Sequence, residues 1–199
     1  MRAITNNEMG FILRVFKNPE VDYNANNIAV ELGMSRMGSL KIARKLEKEN
    51  ILVSKQFGKA KFYKLNLGSE YVQDYISFLL KRESQLARPY VKRWVNELKK
   101  IKSADVAILF GSVLREEKDA GDVDVLFVVD SKKFSNLKRE VTDINIVNIK
   151  KIHPLYQSAI DFKNNIRNKD KPLLSAIKGL VIFGEDKLMG FLKNESCKK

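Results

Sequence analysis

The chain has 199 residues, of which 44% are hydrophobic and 31% charged, which is enough apolar material for one large or two small domains and too much charge for a membrane protein. No apolar run approaches the roughly 18 residues of a membrane span, and the first residues lack the apolar segment of a signal peptide, so we expect a cytoplasmic protein without a membrane partner. The single cysteine, Cys197, excludes a disulfide framework and a multi-cysteine zinc site, and the single histidine, His153, argues against a histidine-based triad or metal site.

Positive charge is concentrated in one short segment. Lys and Arg number 37 and Asp and Glu 24, which gives a net charge of +13. Residues 34–64 alone carry 9 basic and 2 acidic side chains. This clustering predicts a polyanionic partner, and the alternative is a generally basic, solvated surface.

The first 66 residues show the pattern of three helices followed by a hairpin. Apolar residues at helical spacing predict a first helix that ends before Asn18-Pro19, a second over 26–32 that ends at Gly33, and a third from Ser35 to about Glu49. Two β-rich stretches, 51–57 and 60–65, then flank Gly58-Lys59 and predict a hairpin.

Residues 28–36 and 45–52 resemble a winged helix-turn-helix domain of the kind found in small transcription regulators. Ser39 departs from the resemblance, because the family usually has an apolar residue there. The resemblance implies binding to double-stranded DNA, with the start of the third helix in the major groove and the hairpin against phosphates. The residues that these two elements would offer are Ser35, Arg36, Ser39 and Lys41 on the helix, and Lys55, Lys59 and Lys61 on the hairpin. Arg44, Lys45 and Lys48 stay open, and the alternative is a winged helix used for protein contacts.

Residues 67–103 are predicted to be helical and to connect two domains. Their apolar stripe is interrupted by Pro89 and is wider than one contact needs. Part of it can serve a homodimer through the connector helices, and the alternative is an intramolecular core.

Two aspartates on one strand are the sharpest feature of the second half. Asp122 and Asp124 lie at i and i+2 in an otherwise apolar stretch, so both face the same side, about 6.5–7 Å apart at Cα. Two such carboxylates repel unless a cation lies between them, and the pattern suits Mg²⁺ completed by phosphate oxygens. A preceding buried strand runs into Gly111-Ser112, which suits phosphate binding, and Arg115 lies one turn on.

Residues 109–115 and 121–126 resemble the nucleotidyltransferase superfamily that includes DNA polymerase beta, above all its minimal domains. The resemblance implies a mixed β-sheet flanked by helices over 104–192, and hence a two-domain α+β chain. The polar residues 193–199 are expected to form a disordered tail. It also implies that Asp122 and Asp124 hold Mg²⁺ and that Gly111, Ser112 and Arg115 bind a nucleoside triphosphate, whose α-phosphorus an acceptor hydroxyl attacks.

The third carboxylate of this mechanism is missing from its expected place. A candidate strand over 141–149 aligns with the family pattern, but Asn145 occupies the acidic position, and Asp143, two residues earlier, is the candidate substitute for the catalytic role. His153, before Pro154, is expected to be a structural loop residue.

These observations predict a DNA-binding protein, a transcription regulator, with a nucleotidyltransferase-like domain that binds a magnesium nucleotide. Two alternatives stay open. One is an active transferase that moves a nucleotidyl group to a protein or nucleic-acid hydroxyl. The other is an antitoxin-like interaction protein with a degenerate site.

Overall fold

The computed structural model describes residues 4–116 and 119–196, with side chains up to residue 193. The chain divides into two compact units, Met1–Leu79 and Leu80–Lys199. The boundary therefore falls inside the segment 67–103 that was expected to form a separate connector. Among the described residues, no helix is both long and apolar enough to cross a membrane.

The first unit contains three short helices and a small antiparallel sheet. The helices are α1 (Asn6–Lys17), α2 (Ala25–Glu31) and α3 (Arg36–Lys48), and the strands are β1 (Tyr23–Asn24), β2 (Leu52–Phe57) and β3 (Ala60–Leu65). The sheet has the order β1-β3-β2. Three helices and the hairpin lie where the sequence predicts them, and the two-residue β1 is an addition. A fourth helix, α4 (Glu70–Gln85), follows the sheet.

Local hydrogen bonds define where these helices begin and end. Thr5 and Glu8 form a reciprocal capping box at the start of α1, and Asn24 with Asn27 does the same for α2. The Ser35 hydroxyl accepts from the Gly38 N–H at 3.1 Å and begins α3. Asn50, with φ at 57°, adopts the left-handed conformation that ends α3 and turns the chain into β2.

The second unit is built around a four-stranded mixed sheet. Its strands are β4 (Val106–Phe110), β5 (Val123–Val128), β6 (Ile152–Gln157) and β7 (Leu180–Phe183) in the order β6-β5-β4-β7. Strand β4 is antiparallel to β5 and β7, whereas β5 and β6 are parallel. The helices are α5 (Pro89–Leu98), α6 (Val113–Glu116), α7 (Phe134–Val147), α8 (Ala159–Arg167), α9 (Lys171–Ile177) and α10 (Glu185–Ser196).

One face of this sheet packs on α5 and α7. Val123, Val125 and Phe127 of β5 share a buried cluster with Trp94 of α5 and Leu137 of α7. The apolar side of α5 is thus used inside the second unit, as one of the two alternatives predicts. Residues of opposite parity on β5, among them Asp124, face the other side of the sheet, because strand side chains alternate.

Two expectations for this unit are wrong. Residues 141–147 belong to α7 and not to a strand, because Val141 and Ile144 at i and i+3 bury one helix face. Residues 193–196 lie in α10 and not in a disordered tail. The remainder of that tail, 197–199, lies outside the described residues.

Candidate nucleic-acid interface and nucleotide site

Helix α3 presents basic side chains on the surface that the sequence predicts. Arg36 and Lys41 are exposed, and so are Arg44 and Lys48, which lie three and seven residues beyond Lys41 and therefore on the same helical face. Ser35 is exposed as well, but its hydroxyl is engaged in capping the helix. The structure thus extends the predicted helical surface by two cations that sequence reasoning left open.

Ser39 does not belong to this surface. The side chain is fully buried, and its hydroxyl has no hydrogen-bond partner within the described residues. Ser39 precedes the buried residues Ala43 and Leu46 by four and seven positions, so all three lie on the core face of α3. The prediction that Ser39 contacts DNA is therefore wrong, and its position is the interior one that the family usually fills with an apolar residue.

Lys45 is also directed away from this surface. Its Nζ lies 2.5 Å from Oε1 of Glu8, which is almost fully buried, and 3.8 Å from Oε1 of Glu49. Burial by itself would raise the pKa of Glu8, but hydrogen bonds from Lys45 and Thr5 and the Lys45 charge outweigh it and lower that pKa. Lys45 therefore joins α3 to α1.

The hairpin divides its lysines between two faces. Lys55 and Lys59 are exposed, Lys59 in the two-residue turn between β2 and β3. Lys61 is exposed as well, but it bonds Glu47 of α3 at 2.7–2.8 Å, and this bond, followed by one from Ser54, lowers the pKa of Glu47. Lys61 therefore fastens the hairpin to α3, contrary to the prediction that it contacts phosphate.

In the second unit, Gly111 and Asp124 lie against each other. Phe110 pairs with Asp124 across β4 and β5, and Gly111 leaves β4 with φ at +81°. An ideal Cβ placed on Gly111 would overlap Oδ2 of Asp124 and lie 2.9 Å from its Cγ. A side chain at position 111 is thus excluded by the carboxylate. The predicted approach of the Gly-Ser bend to one of the two acids is observed.

The other predicted nucleotide-site residues flank this contact. The backbone carbonyl of Ser112 accepts from the N–H groups of Arg115 and Glu116 at 2.8 Å and so begins α6. The Arg115 side chain is exposed. Asp122 is exposed immediately before β5, whereas Asp124 is half-buried within it. Within the described part of the chain, no group of three or more His, Cys, Asp and Glu side chains could hold a metal ion.

The residue beside Asp124 on the neighbouring strand is His153. The two pair across the parallel strands β5 and β6, and Nδ1 of His153 lies 3.1 Å from Oδ1 of Asp124. The expectation that His153 lies in a loop is wrong. Pro154 suggested a loop, but β6 is at the edge of the sheet, where a missing N–H is tolerated.

The two residues considered for the third carboxylate position, Asp143 and Asn145, both lie on α7. Asp143 is exposed on α7, where it lines a groove with Glu97, Lys100 and Glu140. The Asn145 side-chain oxygen accepts from the N–H of Ile152 at 2.7 Å and so fixes the start of β6. The prediction of a catalytic role for Asp143 rested on a strand over 141–149, but residues 141–147 form part of α7. Nothing observed on α7 supports that role.

Comparisons with known proteins assign the chain to no family. No family model matches, and no curated protein matches either. Similar solved structures include the adhesin competence repressor AdcR from Streptococcus pyogenes, at 14% identity and a TM-score of 0.36 over 50% of this chain and 69% of that one. A second is the C30AH42A mutant of Lactococcus lactis ZitR, at 13% identity and a TM-score of 0.36 over 49% of this chain and 69% of that one. A third is MepR, a transcription regulator of the Staphylococcus aureus multidrug efflux pump MepA, at 23% identity and a TM-score of 0.34 over 49% of this chain and 76% of that one. Scores this low carry no weight for fold or function.

Proposed function

We propose that the first unit binds double-stranded DNA and that the chain is a transcription regulator. The observation that carries this proposal is the uncompensated charge of α3 and the hairpin. The only two acids within 34–64, Glu47 and Glu49, are paired with Lys61 and Lys45. The seven remaining cations of that segment are exposed: Arg36, Lys41, Arg44, Lys48, Lys55, Lys59 and Lys64.

This distribution matches what a duplex requires. Arg36 stands in the first turn of α3, the part of a recognition helix that reaches base edges in the major groove. Lys41, Arg44 and Lys48 continue along one side of the helix, where phosphates would be met. A protein-contact function would not need both elements to present exposed cations while their few acidic side chains are paired.

Salt dependence tests the DNA proposal without knowledge of the target sequence. For a mixed-sequence duplex of about 30 base pairs, log K should fall linearly with log salt, and Lys41→Ala should reduce the slope by about 0.9. Arg36→Ala should weaken binding to this duplex as well, and on a duplex that contains the recognised sequence the loss should reach about 1–3 kcal/mol. The matched control is Lys132→Ala, an exposed lysine of the second unit. Affinity that stays flat with salt, or a Lys132→Ala effect equal to that of Lys41→Ala, would refute the proposal.

We further propose that the second unit binds a nucleoside triphosphate with Mg²⁺ at Gly111, Ser112, Arg115, Asp122 and Asp124. The contact between Gly111 and Asp124 supports this, because it leaves a side-chain-free backbone beside a carboxylate. Mg²⁺ is commonly held by one or two carboxylates together with waters and substrate phosphates. The donor set therefore fits an ion that arrives with the nucleotide, and the ion would neutralise phosphate charge.

Binding without transfer is the form of this proposal that the site favours. His153, and not a third acid, lies beside Asp124, and Asp143 lies on α7. Calorimetry with the four magnesium ribonucleoside triphosphates should show binding that Asp124→Asn abolishes and Asp143→Asn leaves unchanged. Release of pyrophosphate would support the transferase alternative, and failure of all four nucleotides to bind at millimolar concentration would overturn the proposal.

A homodimer through the connector helices also stays a proposal. It is supported by α4, whose exposed Tyr71 and Phe78 lie on one side with Tyr75, and Tyr71 stacks on Tyr75 with ring centroids 6.1 Å apart. Sedimentation of wild type and Phe78→Ser tests it. A concentration-dependent dimer that the substitution weakens is expected, and a wild-type monomer at all concentrations would contradict it.

A further inference from the structure

The tip of the hairpin carries an exposed aromatic ring among lysines. Phe57, the last residue of β2, is 57% exposed although it belongs to an apolar residue type. Its ring meets Phe62 of β3 edge-on, with centroids 6.0 Å apart. Nζ of Lys55 lies 4.9 Å from the Phe57 centroid. The exposed ring and the ammonium group thus form one continuous surface.

This surface faces away from α3. Lys61 and Ser54 bond Glu47 of α3, so their side of the hairpin is the inner one. Side chains alternate along a strand, which puts Lys55 and Phe57 on the outer side. The outer side is therefore free of these bonds to α3 and available to a partner.

The charge around Phe57 identifies the partner class. Between Glu49 and Glu70 the chain has no acidic residue and four lysines, of which Lys55, Lys59 and Lys64 are exposed. The partner must offer both negative charge and flat apolar faces, and nucleic acid offers phosphates and base faces together. A ring that only stabilised the hairpin would not need to be exposed over more than half of its surface.

We propose that Phe57 is a wedge that contacts base pairs from the minor groove of the duplex. This inference rests on the proposed DNA-binding function of the first unit. The minor groove is about 6 Å wide, too narrow for the whole hairpin, so only side chains at its tip can enter. Phe57 and Lys59 lie at that tip. Apolar side chains that insert between base steps from this groove partly unstack them and kink the duplex.

The experiment separates the wedge from the phosphate contacts by their salt dependence. Affinity for a mixed-sequence duplex is measured at several salt concentrations for wild type, Phe57→Ala, Phe57→Leu, Lys59→Gln and Val53→Ala. Phe57→Ala should lower affinity roughly 5- to 100-fold at every salt concentration with an unchanged slope. Lys59→Gln should instead reduce the slope by about 0.9. Phe57→Leu keeps an apolar wedge and should retain most of the affinity.

Val53 is the matched control, because it lies on the same outer side of β2, four residues from Phe57, and is 44% exposed. Thermal unfolding of each variant shows whether the hairpin itself is lost. If Phe57→Ala loses the hairpin, the duplex affinity of Phe57→Leu is compared with that of wild type instead. Unchanged affinity of Phe57→Ala beside a loss with Arg36→Ala would overturn the wedge and leave the DNA proposal intact. An effect of Phe57→Ala on single-stranded oligonucleotides only would also overturn it. Absence of duplex binding by the wild type would instead refute the DNA proposal.

Discussion

Substitution of Gly111 tests whether the nucleotide site is assembled as the structure has it. In Gly111→Ala the new Cβ would overlap Oδ2 of Asp124 and lie 2.9 Å from Cγ. The same residue would also have to adopt φ at +81°, which a side chain disfavours. The two effects can be separated, because only the first depends on the Asp124 carboxylate.

The expected magnitudes follow from these two effects. A non-glycine residue in the left-handed region costs about 1–2 kcal/mol. Overpacking against a half-buried group adds about 1–3 kcal/mol. Gly111→Ala should therefore lower the free energy of unfolding by about 2–5 kcal/mol in wild type. In an Asp124→Ala background the overlap with the carboxylate is gone and a tight Cβ–Cβ contact of 3.1 Å remains, so the cost should fall towards the backbone effect of about 1–2 kcal/mol.

A double-mutant cycle measures this difference. Trp94 is the only tryptophan and lies in the core of the second unit, so its fluorescence reports urea unfolding of the unit that contains Gly111. With an m-value of about 2 kcal/mol/M, the coupling of about 1–3 kcal/mol corresponds to a midpoint difference of about 1 M urea. A positive-φ control is Gly58→Ala, since a Cβ on Gly58 meets nothing within 4 Å; because Gly58 lies in the first unit, its unfolding is followed by circular dichroism.

The result that refutes the reasoning is a coupling near zero. If Gly111→Ala costs the same free energy with and without the Asp124 carboxylate, the two residues do not lie in contact. The site from which nucleotide binding is proposed would then not exist in the folded protein. If Gly111→Ala lost nucleotide affinity but showed no coupling to Asp124 in stability, the proposed contact would also be refuted, since Gly111 would then act in another way.

Three further predictions concern individual side chains. Lys45→Met should lower the free energy of unfolding by about 1–3 kcal/mol at pH 7, discounted for the partial exposure of Lys45, because Glu8 would keep its buried charge without its ion partner. Because folding lowers the Glu8 pKa below its ordinary value of 4.5, this contribution is present above pH 4.5 and is lost as pH falls through the folded value, so thermal scans of the two proteins should converge as the pH is lowered past that value. Ser39→Ala should be neutral or stabilising by up to about 1 kcal/mol and leave duplex affinity unchanged, since its buried hydroxyl lacks a partner among the described residues. Asp143→Asn should leave nucleotide affinity and thermal stability unchanged, because the side chain is exposed on α7.

Each of these has an outcome that contradicts it. A difference between wild type and Lys45→Met that stays constant from pH 7 down to the acid limit of folding would exclude the ion pair with Glu8 as its cause. A drop in duplex affinity with Ser39→Ala, at unchanged stability, would return Ser39 to the DNA-contacting surface. Loss of nucleotide binding with Asp143→Asn would place α7 in the site.

Local sequence signals determined much of the first unit. Ser35 before a helical pattern, Asn50 after it, and Gly58-Lys59 between two β-rich stretches all act within a few residues of the chain, and all lie where they were expected. The same is true of Gly111 followed by a short helix. Capping and turn conformations depend on neighbouring backbone groups, which is why sequence suffices for them.

The error over residues 141–149 shows where local signals fail. Ile144 and Ile146 fit an alternating spacing whereas Val141 and Ile144 fit a helical one, so periodicity could not decide between strand and helix. Val141 and Ile144 pack in the core with residues of the sheet, and this packing stabilises the segment as helix α7. Once that segment was helical, the strand beside Asp124 had to come from later in the chain.

The sequence by itself determined the helices and the hairpin of the first unit, the convergence of Gly111 with Asp124, and the excess of positive charge. Only the tertiary structure decided which charges are paired, because Lys45 and Lys61 bond acids 37 and 14 residues away. It also put His153 beside Asp124, since Pro154 is tolerated at a sheet edge and sequence does not show which strand is the edge. Contacts between residues distant in the chain depend on the whole packing, and no local pattern contains them.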